Sequence, residues 1–268
     1  MGKIKTYEQV VLNMSILKLS VSSIGTYEKC PKNYHYRYIE KPDIEKNKWP
    51  ATEFGSCAHL ALELFHKTIN NKSVPRSQYS KLMKWAYKKA LSEFDIGILD
   101  QDVWSPSGDK NGLEYLKEIL QEYLNKISSD GMPNVIGIEV SYNFYIDGTM
   151  IRGYIDRLDK IGDGEYRVVD YKTSKNKKYL NSFQLLVYAE AIRRMYPDAK
   201  IIHGSYMLLK HNCETMDWTF SDSDLEKVVK KISKRADMIK SESRWVKKPS
   251  ILCNWCDYKK ICQESWAD

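Results

Sequence analysis

Apolar positions recur at helical spacing through the first half of the chain and in short alternating runs through the second. Residues 20–38 read as a helix, with Ser22 or Ser23 as its cap and Pro31 as a break or restart. Residues 54–70 place Ala58, Leu62 and Phe65 beside Ala61 and Leu64, a helical stripe. Residues 75–94 and 112–127 predict two more helices, parted by a loop marked by Pro106, Gly108 and Gly112. Three β-rich runs follow at 135–145, 151–158 and 166–171, separated by Gly148 and by Gly162 and Gly164, and they read as an antiparallel meander. A helix over 182–196 ends at Pro197, and strands are expected over 201–209 and 214–220. Ser221 caps a basic helix reaching about Lys240, with Asp222 and Asp224 in its first turn. The order predicts an α/β or α+β fold with an acidic site on its central sheet.

At 43% hydrophobic and 29% charged the 268 residues can bury a core and remain soluble. No apolar run is long enough to cross a bilayer, and no secretory h-region follows Lys3 and Lys5. The expectation is a cytoplasmic protein with no membrane partner. A net charge of +7 suits a polyanion. Six cysteines without a secretory context point to metal or cluster ligation rather than disulfides.

The strongest local signal is Val168-Val169-Asp170-Tyr171-Lys172. On a strand Asp170 and Lys172 share one face, while Val169 and Tyr171 take the other. A carboxylate can hold a divalent cation that activates water, and a nearby ammonium can offset developing charge, which is the chemistry of phosphodiester hydrolysis. Alone, the same tripeptide is an ordinary salt bridge. One strand earlier, Gly153-Tyr154-Ile155-Asp156-Arg157-Leu158-Asp159 supplies Asp156, which converges on Asp170 if the strands pair; Asp159 is an alternative ligand or a turn residue. His59 lies in Gly55-x3-His59-x3-Glu63 and shares a helix face with Glu63, and beside two aspartates it becomes a candidate imidazole ligand. Gln184 and Tyr188 share a face of the helix after Lys172 and can hydrogen-bond a phosphate or base.

Cys253-x2-Cys256-x5-Cys262 offers three thiolates without a second nearby pair, so a fourth ligand must come from Cys30, Cys57 or Cys213. Cys30 precedes Pro31, a frequent companion of iron–sulfur ligation, whereas Cys57 and Cys213 read as buried apolar residues.

Taken in order, Cys30-Pro31, Gly55…His59…Glu63, Gly153-x2-Asp156-Arg157, Asp170-Tyr171-Lys172, Gln184-x3-Tyr188 and the terminal cysteine set resemble the RecB-like PD-(D/E)XK nucleases. That group includes the nuclease domains of AddB helicase–nuclease subunits and the CRISPR-associated RecB-like exonucleases. The resemblance runs from about residue 20 to 262. It implies a restriction-endonuclease-like core with a central mixed sheet, a helical insertion and a terminal Fe–S staple. It assigns His59, Asp156 and Asp170 to Mg²⁺ or Mn²⁺, Lys172 to catalysis, and Gln184 and Tyr188 to DNA. It assigns Cys30, Cys253, Cys256 and Cys262 to a [4Fe–4S] cluster. The third motif has aspartate where many relatives have glutamate, one methylene longer. The expected segments are a lead-in (1–19), the first part of the Fe–S region (20–53), a first core helix (54–74), a helical insertion (75–130), the nuclease core (131–248) and the terminal Fe–S segment (249–268).

The function expected is a metal-dependent DNA exonuclease in recombination, repair, replication or CRISPR-type processing. No Gly-x4-Gly-Lys-Ser/Thr occurs, so a motor such as a helicase, or another recombination protein, would be a separate partner. One alternative is a nuclease-fold DNA-binding or assembly subunit beside a recombinase or integrase, with minor catalysis. Another is a zinc-stapled nucleic-acid binder without catalysis. Lys81, Lys84, Lys88 and Lys89, with Trp85, Tyr87, Trp104, Tyr115 and Tyr123, suggest that the insertion roofs the site and threads single-stranded ends.

Overall fold

The computed structural model describes residues 16–72 and 74–262. Most of the expected lead-in and the end of the terminal segment therefore lie outside the described residues. The main elements, in chain order, are α1 (Val21–Lys29), α2 (Pro50–Asn71), α3 (Tyr79–Leu91), α4 (Gly112–Asp130), β1 (Val135–Ile146), β2 (Thr149–Gly162), β3 (Glu165–Lys172), α5 (Phe183–Met195), β4 (Ile201–Leu208), β5 (Glu214–Phe220) and α6 (Asp222–Ser241). The described residues divide into two compact units, 45–142 with 154–226, and 16–44 with 143–153 and 227–262.

The larger unit is built on β3. Its neighbour β2 runs antiparallel, with Arg157 opposite Val169. On its other side β4 runs parallel, with Asp170 opposite Tyr206 and Lys172 opposite Leu208, and β5 returns antiparallel to β4. Parallel strands need a crossover, and α5 supplies it. The sheet is therefore mixed and the fold α/β. The antiparallel pairing expected of the meander holds between β2 and β3, and β1 also pairs with β2.

Period-two alternation on β3 divides its side chains between two environments. Val169 and Tyr171 enter an apolar cluster with Phe54, Ala58, Leu62 and Phe65 of α2, Met83 and Ala86 of α3, and Leu116, Ile119 and Tyr123 of α4. Asp170 and Lys172 turn to the opposite face, where α5 packs. That packing is close: a Cβ at Gly204 would meet Leu185 Cβ at 2.9 Å and Phe220 Cε2 at 2.7 Å, so only glycine lets helix and strand approach.

The expected roof does not form in this way. The insertion helices α3 and α4 pack on the Val169–Tyr171 face, away from Asp170 and Lys172. Tyr115 and Tyr123 are buried core residues, and the Tyr87 hydroxyl donates to the Leu113 carbonyl at 3.2 Å. Of the aromatics expected to guide the strand, only Trp85 is exposed, to about half of its surface. The helix expected from residue 54 starts at Pro50, because proline has no N–H to leave unpaired in a first turn.

In the smaller unit α1 is capped by Ser20 rather than by Ser22 or Ser23. The Ser20 Oγ accepts the Ser23 N–H at 3.1 Å, and Ser23 Oγ accepts the Ser20 N–H at 2.8 Å, a reciprocal capping box. Pro31 restarts the helix after the extended residue Cys30. Tyr27 donates to Glu242 Oε2 at 3.0 Å, and Tyr34 stacks on Trp245 with centroids 5.8 Å apart, fixing the Cys30 region to the segment that follows α6.

Candidate active site

The site begins with two aspartates on adjacent antiparallel strands. Each flanks the Arg157–Val169 pair, Asp156 on β2 and Asp170 on β3. Asp156 Oδ2 accepts the Tyr171 backbone N–H at 2.8 Å and lies 3.3 Å from His59 Nδ1. Asp170 is 2% exposed. Its Oδ1 accepts Gln184 Nε2 at 2.7 Å and the Tyr188 hydroxyl at 3.4 Å. Its Oδ2 has the Lys172 ammonium at 2.5 Å, outside hydrogen-bond alignment, and no other partner among the described residues. Lys172 Nζ donates to Gln184 Oε1 at 2.9 Å and lies over the Tyr206 ring at 5.0 Å. Gln184 thus bridges carboxylate and ammonium, using both ends of its amide.

Burial and the neighbouring Asp170 charge push the Asp156 carboxyl above the usual carboxylate range. Burial pulls His59 below the ordinary histidine value, which favours the neutral imidazole that ligates metals. Glu139 is a further carboxylate at this site that sequence reasoning did not single out. Burial first, then the charges of Asp156 and Glu63, raise it to about 7. Its signal was a glutamate inside the apolar run Val135-Ile136-Gly137-Ile138-Glu139-Val140. Its φ of 49° breaks the strand alternation that would have revealed its face.

The His59 helix reaches the end of β3 through Gly55, one turn earlier. A Cβ there would lie 2.8 Å from Thr173 Oγ1, the residue after Lys172. Asp159 is neither a ligand at this site nor a turn residue. It is buried, with its carboxylate gripped by Arg157 at 3.0 Å on both oxygens, and Arg157 also donates to the Tyr123 and Tyr171 hydroxyls at 2.9 and 3.1 Å. Tyr188 is 5% exposed, so its hydroxyl serves Asp170 rather than an open surface.

The family model of the PD-(D/E)XK nuclease superfamily matches residues 18–263. The chain belongs to this superfamily. It is similar to the Gene 69 protein of Mycobacterium phage D29, 28% identical over 208 residues that cover 71% of this chain and 74% of that protein. It is also similar to an ATP-dependent helicase/deoxyribonuclease subunit of Clostridium perfringens (strain SM101 / Type A), 28% identical over 217 residues, 70% of this chain but 18% of that much longer protein. A solved structure from Eubacterium rectale aligns over 94% of this chain and 98% of its own, with 16% identity and a TM-score of 0.45.

With a buried carboxylate, a partly buried one and a neutral imidazole in reach, the donor set fits a hard divalent cation. Among the described residues no three His, Cys, Asp or Glu side chains already stand close enough to hold a metal. The Lys172 ammonium occupies the side of Asp170 that a cation would share.

In the smaller unit Cys30, Cys253, Cys256 and Cys262 line one cavity. Asn33 Nδ2 donates to Cys256 Sγ at 3.3 Å and the Ser250 N–H to Cys253 Sγ at 3.4 Å. Burial raises the Cys256 thiol, and the other three cysteines add to the shift. The four sulfurs line one space and two of them have N–H donors, but among the described residues no three of them stand close enough together to hold a metal. Cys57 and Cys213 are fully buried in the core of the larger unit, where burial pushes both thiols up to about 12.

Among the described residues no helix is long and apolar enough to cross a membrane.

Proposed function

We propose that this nuclease hydrolyses DNA phosphodiester bonds at the Asp156–Asp170 site and works as an exonuclease on single-stranded ends. The observation that carries the reading is the aspartate pair on adjacent strands, with Lys172 and Gln184 bound to the second aspartate. Asp156, Asp170 and His59 would hold a magnesium or manganese ion. When bound, such an ion activates water and stabilises phosphoryl charge. Lys172, at 2.5 Å from Asp170, is placed to donate to a phosphate oxygen as negative charge builds. Gln184 orients both groups through its amide, and Tyr188 fixes Asp170 from the buried side.

The preference for free single-stranded ends rests on partner chemistry. The Clostridium perfringens relative is named for a helicase and a deoxyribonuclease together, and a helicase delivers separated strands. A helicase partner for this chain, and a [4Fe–4S] cluster on Cys30, Cys253, Cys256 and Cys262, belong to the same proposal. In this reading the cluster is structural.

Linear and covalently closed circular single-stranded DNA of one sequence, incubated with Mg²⁺ and with Mn²⁺, test the end requirement. The linear strand should be degraded and the circle spared. Equal cutting of both would leave a nuclease but remove the exonuclease assignment.

A further inference from the structure

The two most exposed tyrosines of the larger unit lie on either side of the aspartate pair in the chain. Tyr154 is 61% exposed and Tyr179 is 71% exposed. Neither hydroxyl has a hydrogen bond among the described residues. Tyr154 stands on β2 two residues before Asp156. It therefore shares the Asp156 face of the strand, at about 7 Å between Cα atoms. Ile155 between them is fully buried on the other face.

Tyr179 stands on the connection from Lys172 to Gln184, the two residues joined by the 2.9 Å hydrogen bond in the site. That hydrogen bond closes the base of the connection. The Tyr206 hydroxyl holds it again by donating to the Asn181 carbonyl at 2.9 Å, and the same Tyr206 ring lies under the Lys172 ammonium. The connection is basic. Lys178 Nζ stands 5.0 Å from the Tyr179 ring centroid, Lys175 Nζ stands 5.5 Å from that of Trp104, and Lys177 pairs with Glu214. Ammonium groups beside an exposed ring such as that of Tyr179 are what a single strand meets when cations track its backbone and its bases stack on aromatics.

We infer that Tyr154 and Tyr179 are base-stacking positions for single-stranded DNA, one on each side of the scissile phosphate. The inference rests on the proposed DNA substrate and adds to it how the strand is gripped. The contacts are to the faces of bases, so they are tolerant of sequence but require a base to be present. They also move the strand's path from the insertion helices, whose aromatics are mostly core, to the β2 face and the connection after Lys172.

The test uses the full chain with calcium in place of magnesium. Binding is read by fluorescence anisotropy on a fluorescein-labelled oligodeoxythymidylate and on a strand of equal length with abasic central nucleotides. Wild type should bind the first more tightly. The Y154A/Y179A variant should lose roughly ten-fold or more in affinity for it, from the usual worth of a stacked base, and should bind both strands alike. Y154F/Y179F, which keeps the rings, should restore the preference. Equal binding of the two strands by wild type, or an undiminished preference in folded Y154A/Y179A, would overturn the inference while leaving the nuclease reading standing. Failure of wild type to bind or cut any DNA would instead overturn the DNA reading, and the stacking inference with it.

Discussion

The carboxylate of Asp156 accepts the backbone N–H of Tyr171 at 2.8 Å, so one aspartate is tied directly to the strand segment that carries the other. Two carboxyl groups are thereby held close together, and burial and the Asp170 charge raise the Asp156 carboxyl, disfavouring its charged form. A divalent cation relieves this repulsion and should stabilise the fold by mass action. At a hundred times its Kd it adds about 2.7 kcal/mol. Mn²⁺ should therefore raise Tm in wild type, and the rise should be absent in Asp170→Asn, a change read by calorimetry without any substrate. An equal rise in both would move metal binding elsewhere.

Gly55 sets the distance between the His59 helix and the end of β3. Gly55→Ala places a methyl 2.8 Å from Thr173 Oγ1, so helix or strand end must shift. Nuclease rate should fall about ten-fold, as expected for a small misplacement of reacting groups. Thr173→Ala in the same chain removes the clash and should restore most of the loss. A Gly55→Ala variant with wild-type rate would show that the close approach is not needed.

Arg157 is buried against Asp159, Tyr123 and Tyr171. Arg157→Ala leaves the Asp159 carboxylate buried without its partner, which typically costs about 3–5 kcal/mol. Urea unfolding should show a loss of that size, and adding Asp159→Ala should recover part of it. A loss under about 1 kcal/mol would mean that water reaches the pair in solution.

The elements that alternation and helical spacing define were legible from the sequence. Asp170 and Lys172 share a face because β3 is regular, and Asp156 meets them because β2 pairs with β3 as the two-residue period predicts. Glu139 escaped because its positive φ interrupts that period. The insertion aromatics misled for a different reason. Rings at helical spacing serve equally well as core or as surface, and Tyr115 and Tyr123 are core because α4 packs on the sheet. The cap of α1 was expected at Ser22 or Ser23, and the backbone geometry places it at Ser20 instead. The Pro50 start of α2 was missed because its first turn carries no apolar stripe.

Cys30 and Cys253 are separated by 222 residues, so shared ligation would close almost the whole chain. By analogy with a disulfide loop this closure contributes roughly 5 kcal/mol. Protein purified without oxygen should be brown and contain iron and labile sulfide. Cys→Ser at residues 30, 253, 256 or 262 should bleach it and lower Tm, while Cys213→Ser should keep its colour. Zinc without iron in the wild-type protein would replace the cluster with a zinc site.

If catalysis resides in the aspartate pair and its lysine, cleavage must depend on all three side chains. Cleavage of end-labelled linear single-stranded DNA in Mg²⁺ should be measured for wild type, Asp156→Ala, Asp170→Ala and Lys172→Ala, each with its circular dichroism spectrum. Loss of a group that stabilises the transition state usually costs about 100- to 1,000-fold, so all three variants should fold and lose at least that much rate. A folded Asp170→Ala protein that cuts DNA at the wild-type rate would contradict the claim.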